Sequence, residues 1–287
     1  DWSRMARIGF AAEDECILLV GAPDWWGTHL GQSIYLRELF GRKDGPPPPV
    51  DLDHERKADA TPVTLADRAA EEAMRRILTA EFPQDGVAGE EFGVSEGRSG
   101  RQWVLDPIDG TTAFLAGRAT FGTLIALMVE GFPVLGVIDQ PVLAERWLGV
   151  AGGATTLNGQ PVATRACPDL SHAALATTGP HYFSQDQGDI FMTLAQATDH
   201  RRMIMGGDCY NYAMLASGHL DIVCEAGLKL HDFAALVPIV EGAGGTMCDW
   251  NGEPLHAGSD GHVLALGDPA RLDDVLEAMG GHRGHAH

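Results

Sequence analysis

Two aspartates three positions apart, Asp106 and Asp109, stand in the stretch Trp103-Val104-Leu105-Asp106-Pro107-Ile108-Asp109-Gly110-Thr111-Thr112-Ala113-Phe114. That spacing can present hard oxygen ligands to divalent cations. Pro107 fixes one backbone dihedral between the two carboxylates. Gly110 has access to a conformation closed to other residues, so the chain can turn sharply after Asp109. Thr111 and Thr112 would then open a helical turn, whose unpaired N–H groups suit an anion such as phosphate. Cation ligands beside a phosphate cradle are the equipment for phosphoryl transfer, a reaction governed by positioning and charge neutralisation. The competing reading is a plain turn and helix cap, since Asp-Gly and Asp before a helix are common in both.

The elements around this stretch must carry those groups. Trp103 to Leu105 is apolar and reads as the end of a buried strand. Residues 64–81 have helical periodicity, with Leu65, Ala69, Ala73 and Ile77 on one face and Arg68, Glu72 and Arg75 on another. Thr64 and Asp67 resemble a capping pair at its start. Val87 and Ala88 lead into Glu90 as a further strand. After the central motif, residues 123–130, 134–139 and 145–150 are apolar, β-rich runs separated by turns, which predicts an antiparallel meander. Asn158-Gly159 is a hairpin turn of type I′. Beyond it strands (173–177, 202–205, 220–225) alternate with helices (187–198, 210–217, 233–242), the pattern of layered α/β structure.

The bulk composition bounds the partners. The 287 residues can bury a sizeable core, and 45% hydrophobic with 21% charged residues is ordinary for a globular chain. Forty acidic against 20 basic residues leave a net charge of −20. That charge argues against nucleic acid or an anionic membrane as partner. A phosphate ester is an anion too, so bound cations at the acidic motifs are the natural remedy. No apolar run approaches the ~18 residues of a membrane span, and no basic-then-apolar leader is read. The five cysteines are scattered and lack C-x-x-C spacing, so a reducing cytoplasm is expected.

Other stretches extend the central motif in order along the chain: Lys57-Ala58-Asp59, Pro62-Val63-Thr64-Leu65-Ala66-Asp67, Gly89-Glu90-Glu91 and His231-Asp232. Together they resemble the inositol monophosphatase family of Mg²⁺-dependent phosphomonoesterases, over about residues 57–268. The wording of Phe121-Gly122-Thr123-Leu124, Gly136-Val137-Ile138-Asp139-Gln140-Pro141, Glu145-Arg146-Trp147-Leu148-Gly149, Gly206-Gly207-Asp208-Cys209-Tyr210 and Glu225-Ala226-Gly227-Leu228-Lys229 is most similar to the branch acting on histidinol phosphate.

The resemblance implies an α-β-α-β-α sandwich with an antiparallel meander sheet and a second, mixed sheet. Residues 57–165 would form a metal and phosphate half, and residues 166–287 a substrate-recognition half. It implies a first cation held by Glu90, Asp106 and the Ile108 carbonyl, and a second by Asp106, Asp109 and Asp232. Mg²⁺ is the expected ion, with Mn²⁺ as a substitute. The attacking water, activated at the cations, would be oriented and deprotonated by Thr111 and Asp67, with Glu90 near. Phosphate would rest on the N–H groups of Gly110, Thr111 and Thr112, with added charge from Lys57. Asp208 and Glu225 would bind the rest of the substrate, and a pair of acids suits a cationic leaving group such as histidinol. Helix capping is an even alternative for Asp208. His231 is expected to be a packing neighbour rather than a ligand. The expected partners are a small-molecule phosphate ester and a second copy of the chain in a homodimer, with no nucleic acid and no membrane. Inositol 1-phosphate or another sugar or nucleotide phosphate is the alternative substrate.

Residues 1–56 do not share this resemblance. They read as a short strand at 16–21, a short helix at 31–40 and an extended proline run at 45–50. The family's long first helix is not found there. Ile17-Leu18-Leu19-Val20-Gly21, the stretch 26–38 and Pro47-Pro48-Pro49-Val50-Asp51-Leu52 instead resemble a piece of phosphoribosylformylglycinamidine synthase. The chain therefore reads as a chimera joined near residues 55–57, and a catalytically impaired product of that join is the second functional alternative.

Overall fold

The computed structural model describes residues 54–56 and 62–280. The expectations for residues 1–53, including the strand, helix and proline run, lie outside the described residues. Lys57 lies outside them as well.

A short antiparallel pair, β1 (His54–Arg56) and β2 (Pro62–Thr64), leads into helix α1 (Leu65–Glu81). An eight-stranded sheet follows. It contains β3 (Gly86–Gly89), β4 (Gly93–Ser95), β5 (Arg101–Asp109), β6 (Gly122–Val129), β7 (Phe132–Gln140), β8 (Glu145–Val150), β9 (Thr156–Leu157) and β10 (Gln160–Pro161). From β5 to β10 the strands pair consecutively and antiparallel, the expected meander. At the other end β3 lies parallel to β5, so their C-terminal ends, with Glu90 and Asp106, reach the same edge. The β9–β10 turn is the predicted one, with Asn158 at φ 49° and Gly159 at φ 78°.

The second sheet is mixed, as expected. Its strands are β11 (Leu175–Thr177), β12 (Ile204–Met205), β13 (Ile222–Glu225), β14 (Thr246–Cys248) and β15 (Val263–Leu266), in the order β12-β11-β13-β15-β14. Helices α3 (Gln185–Ala197), α4 (Asp208–Ala216), α5 (Leu230–Phe233), α6 (Leu236–Gly242) and α7 (Leu272–Ala278) complete the fold, with α2 (Thr111–Leu115) after β5.

Alternating side chains sort these elements into layers. Trp103, Leu105, Ile125 and Leu127 face one side of the first sheet and pack with Met74 and Leu78 of α1. Val104, Leu124, Ala126 and Met128 face the other side, against α4, α6 and Ala176, Val223 and Ala265 of the second sheet. Leu175, Ile222 and Leu264 face outward there, onto Phe191 of α3 and Val275 of α7. The result is the α-β-α-β-α sandwich that the sequence led us to expect.

Two local expectations are corrected. The buried face of α1 is Ala66, Ala70, Met74 and Leu78, one position round from the predicted stripe; Ala69 is exposed, and Ala73 and Ile77 are half-buried. Both rows are apolar at i, i+4 spacing, so hydropathy does not choose between them; the choice is made by the sheet, against which Met74 and Leu78 pack. The single helix expected at 233–242 is two. Pro238 has no N–H to give and its ring crowds the carbonyl four residues back, so α5 ends and α6 starts afresh with the proline in its first turn. The strands β4, β14 and β15 and helix α7 had no separate expectation.

The central layer depends on a pair of glycines. Gly136 of β7 faces Gly149 of β8 directly across the ladder. A Cβ on Gly136 would lie 1.9 Å from the Ala235 carbonyl oxygen, and one on Gly149 would lie 2.3 Å from that of Pro238. Both obstacles are backbone, so α6 can sit this close to the sheet only over bare Cα atoms. Among the described residues, no helix is long and apolar enough to cross a membrane. The close approach gives a first expected outcome: Gly136→Ala and Gly149→Ala each lower stability by about 1–3 kcal/mol, read by urea unfolding, whereas Gly188→Ala, inside α3 where a Cβ would meet nothing, should not destabilise.

Candidate active site

The turn that ends β5 carries the chemistry. In a regular strand, residues three apart point to opposite faces. Here Asp106 pairs with Leu124 but Asp109 with Gly122, so β5 holds one extra residue between them. Such a bulge re-aims a side chain. Asp106 and Asp109 thereby reach the same cluster, together with Asp232 from α5. The interrupted ladder is closed locally. The Thr123 hydroxyl donates to the Pro107 carbonyl at 2.8 Å, and the Ile108 N–H donates to the Asp106 carboxylate at 3.1 Å. Gly110 then turns the chain at φ 81°. A Cβ on it would lie 2.7 Å from the Asp208 carboxyl carbon, so this position excludes any larger residue.

Three groups of side chains meet at this edge, each with ligating atoms within 4.8 Å of one another: Asp106, Asp109 and Asp232; Glu90, Asp106 and His231; and Asp67, Glu90 and Glu91. Asp106 belongs to the first two and Glu90 to the last two. Glu90 is placed by its own N–H, which donates to the Leu105 carbonyl at 3.2 Å. Asp67 comes from the first turn of α1, and Asp232 from α5, where it accepts the Lys229 N–H at 2.6 Å. His231 comes into the cluster with Glu90 and Asp106, beyond the packing role expected for it, and its Nε2 lies 3.5 Å from Asp232.

The electrostatics follow from crowding like charges away from water. Asp106 is 2% exposed. Burial, and after it the charges of Glu90, Asp109, Asp232 and Asp67, push its carboxyl well above the usual range. Burial likewise raises Asp109, with Asp208 and Asp232 adding to it. Asp232 is raised by burial, opposed by His231 and by the Lys229 N–H. Acids so placed are costly to ionise unless a cation joins them. The donors at hand are carboxylates plus the Ile108 carbonyl, which accepts the Thr111 hydroxyl at 3.2 Å. That set of hard oxygens fits a divalent cation such as Mg²⁺ better than a thiolate-seeking metal. Cys209 adds no nucleophile, because burial and the nearby Asp109 charge push its thiol well up.

Beside the acids lies a cavity of about 300 Å³. Asp109, Gly110, Thr111 and Thr112 line one side, so the predicted phosphate cradle opens directly onto it. Asp208, Glu225, Tyr182 and Lys229 line it elsewhere. Asp208 stands at φ 47° as the first residue of α4, whose cap is Gly207, so the capping alternative for Asp208 does not hold. Glu225, 2% exposed at the end of β13, accepts the Thr178 N–H at 2.6 Å and the Thr177 hydroxyl at 3.2 Å. Burial pushes its carboxyl up to about 7. The two sides are joined where the Cys209 N–H donates to Asp109 at 2.6 Å. Tyr182, Thr178 and Lys229 were not singled out beforehand. Lys229 sits in a stretch already noted, whereas the short 3₁₀ turn Pro180–Tyr182 has no periodicity to announce it.

Comparison with known proteins places this geometry in context. The profile of the inositol monophosphatase family matches residues 42–278. The chain is 46% identical over 235 residues to the bifunctional phosphatase IMPL2, chloroplastic, of Arabidopsis thaliana, covering 79% of this chain and 67% of that one. It is 38% identical over 229 residues to the histidinol-phosphatase of Chlorobaculum parvum, covering 78% and 85%. A solved inositol monophosphatase from Zymomonas mobilis superposes with a TM-score of 0.72 at 52% identity, over 79% of this chain and 87% of that one. A separate stretch of 57 residues is 70% identical to the PurL subunit of phosphoribosylformylglycinamidine synthase from Mesorhizobium japonicum. It makes up 20% of this chain and 8% of that protein, in keeping with the foreign character read from residues 1–56.

The raised carboxyl groups set the pH response. The folded chain keeps a proton on Glu225 up to about pH 7, whereas an ordinary glutamate releases it near 4.5. Stability from that protonation is therefore full below the lower value and is lost as pH rises through the window; Asp106, Asp109 and Asp232 act in the same direction. In chelator, the thermal midpoint should fall between about pH 5 and about pH 8, and Mg²⁺ should oppose the fall. Asp106→Asn should raise the midpoint in chelator at the upper pH while abolishing the Mg²⁺ effect, as read by calorimetry.

Proposed function

This chain belongs to the inositol monophosphatase family of metal-dependent phosphatases, and on that footing we propose that it is a Mg²⁺-dependent phosphomonoesterase whose preferred ester is L-histidinol phosphate. The products are L-histidinol and inorganic phosphate. The observation that carries the choice of ester is the acidic pair on the cavity wall, Asp208 and Glu225, both reaching the space beside the phosphate cradle. A leaving group with an amine and an imidazole offers positive charge to that pair, whereas a polyol offers none. The partial proton on Glu225 is part of the same argument, because a cationic partner favours its ionised form.

The chain's own residues divide the work. Glu90, Asp106, Asp109, Asp232 and the Ile108 carbonyl hold the divalent cations. When bound, these supply charge neutralisation for the phosphate and lower the pKa of a water. The N–H groups of Gly110, Thr111 and Thr112 receive the phosphoryl oxygens at the start of α2. The Thr111 hydroxyl proton is engaged by the Ile108 carbonyl, which leaves its oxygen lone pairs to orient the attacking water. Asp67, with Glu90 beside it, takes the proton as the water oxygen bonds to phosphorus. The bond from phosphorus to the ester oxygen breaks, that oxygen takes a proton from solvent water to leave as an alcohol, and Asp67 returns its own proton to solvent. Asp208 and Glu225 hold the departing group.

Inositol 1-phosphate is the second reading, favoured by the 52% identity to the Zymomonas mobilis enzyme. The two separate kinetically. Asp208→Asn keeps the positive φ that Asn tolerates but removes the charge. Its KM for histidinol phosphate should rise roughly ten- to a hundredfold, the worth of a charged contact, and far less for inositol 1-phosphate. Glu225→Gln should do the same. If the unmutated protein hydrolyses inositol 1-phosphate with the higher kcat/KM, or if both variants lose equally on both esters, the histidinol reading fails.

A further inference from the structure

Glu71 is a charged side chain with 0% exposure in the middle of α1, and the chemistry described above leaves it without a task. It lies one helical turn beyond Asp67, on the same buried face. Its carboxylate is fully engaged. Oε2 accepts the Glu91 N–H at 2.7 Å, and Oε1 accepts the Phe92 N–H at 3.2 Å and the Arg75 Nε at 2.7 Å. The two N–H groups belong to the residues immediately after Glu90. The backbone just before Glu90 is pressed against the same group, since a Cβ on Gly89 would lie 2.0 Å from Glu71 Oε1. Arg75 extends the clamp, donating to the Val87 carbonyl at 3.4 Å, the Ser95 hydroxyl at 3.2 Å and the Gly93 carbonyl.

Glu90 is therefore gripped from both sides. Its own N–H is tied to β5 through Leu105, next to Asp106, and the turn after it is tied to α1 through Glu71. We propose that Glu71 is the positioning residue for Glu90, fixing the carboxylate at the cation site before any cation arrives. The proposal rests on the reading of Glu90 as a metal ligand. A buried carboxylate accepting backbone N–H groups is an effective way to hold a turn that has no ladder of its own. Arg75 supplies the counter-charge beside Glu71, with its Nε 2.7 Å from Oε1, which offsets the cost of burying this carboxylate so near other acids. Sidestepping the turn's own flexibility in this way means that cation binding need not order it.

The test uses Mg²⁺ alone as probe, titrated calorimetrically into the full chain. In Glu71→Gln one oxygen becomes an NH₂ group that must face an N–H donor, so the turn loses its lock. Mg²⁺ affinity should fall about 10–100-fold, as for other residues that orient a metal ligand. The comparison is Asp85→Asn, which breaks the ion pair with Arg101 at the far end of β5. It should lower the thermal midpoint while leaving Mg²⁺ affinity unchanged. Glu90→Gln separates the proposal from its premise. If Glu90→Gln weakens Mg²⁺ binding and Glu71→Gln does not, Glu71 has no positioning role. Equal losses in Glu71→Gln and Asp85→Asn overturn the proposal too, since the effect would be general loosening. Mg²⁺ binding unchanged in Glu90→Gln overturns the metal-ligand reading itself. Should Glu71→Gln fail to fold, hydrogen exchange of the unmutated protein in chelator decides: slow exchange at the Glu91 and Phe92 amides supports the lock, and exchange as fast as in an open loop refutes it.

Discussion

The mutual repulsion of buried carboxylates is the constraint from which the rest of the structure follows. Asp106 is almost fully enclosed and faces the charges of Glu90, Asp109, Asp232 and Asp67. Left to relax, such a group would spread apart or take up protons. Holding the acids together requires each to be fixed from behind by something rigid. Asp106 and Asp109 are fixed by the bulge at the end of β5, with Thr123 and the Ile108 N–H filling the gap in the ladder. Asp232 is fixed by the first turn of α5, and Glu90 by the strand before it and the helix beneath it. The stability forgone by crowding these charges is what a bound cation would recover.

Rigidity on this scale needs the two sheets to be locked to one another, and the contacts between them are accordingly specific. The glycine pair Gly136 and Gly149 lets α6 bear directly on the first sheet. Trp147 of β8 donates to the Ser217 hydroxyl just beyond α4 at 2.9 Å, and Tyr210 of α4 donates to Glu145 at 2.8 Å. These bonds hold α4 at both ends, and α4 begins with Asp208 and the Cys209 N–H that meets Asp109. The cavity wall at Asp208 is thus tied directly to the turn that ends β5. Glu225 is anchored separately, by Thr177 and Thr178 of the neighbouring strand end.

Every acid of the cluster, the phosphate cradle and the cavity wall lies at residue 67 or beyond. Helix α1 carries two apolar rows. Its inner row, Ala66, Ala70, Met74 and Leu78, is buried, while the adjoining row with Ala73 and Ile77 is half-buried. Two apolar rows on one helix suit an element packed on two sides.

What the sequence determined by itself was the part of the site written in consecutive residues. The carboxylates at 106 and 109, the turn at Gly110 and the threonines after it are set by covalent spacing, and the helix, the meander and the Asn158-Gly159 turn are set by periodicity and turn chemistry. These are local properties, and local properties are legible in a linear string. Tertiary structure decided the remainder. Which row of α1 turns inward depends on the shape of the sheet it meets. The bulge that brings two oddly spaced aspartates to one side depends on pairing with β6. The approach of His231 to Glu90 and Asp106, the cavity wall of Tyr182 and Lys229, and the grip of Glu71 on the turn after Glu90 each join residues from separate elements. Asp109 and the Cys209 N–H, 100 residues apart in the chain, meet because two sheets pack on shared helices, and packing is a property of surfaces that no single stretch of sequence contains.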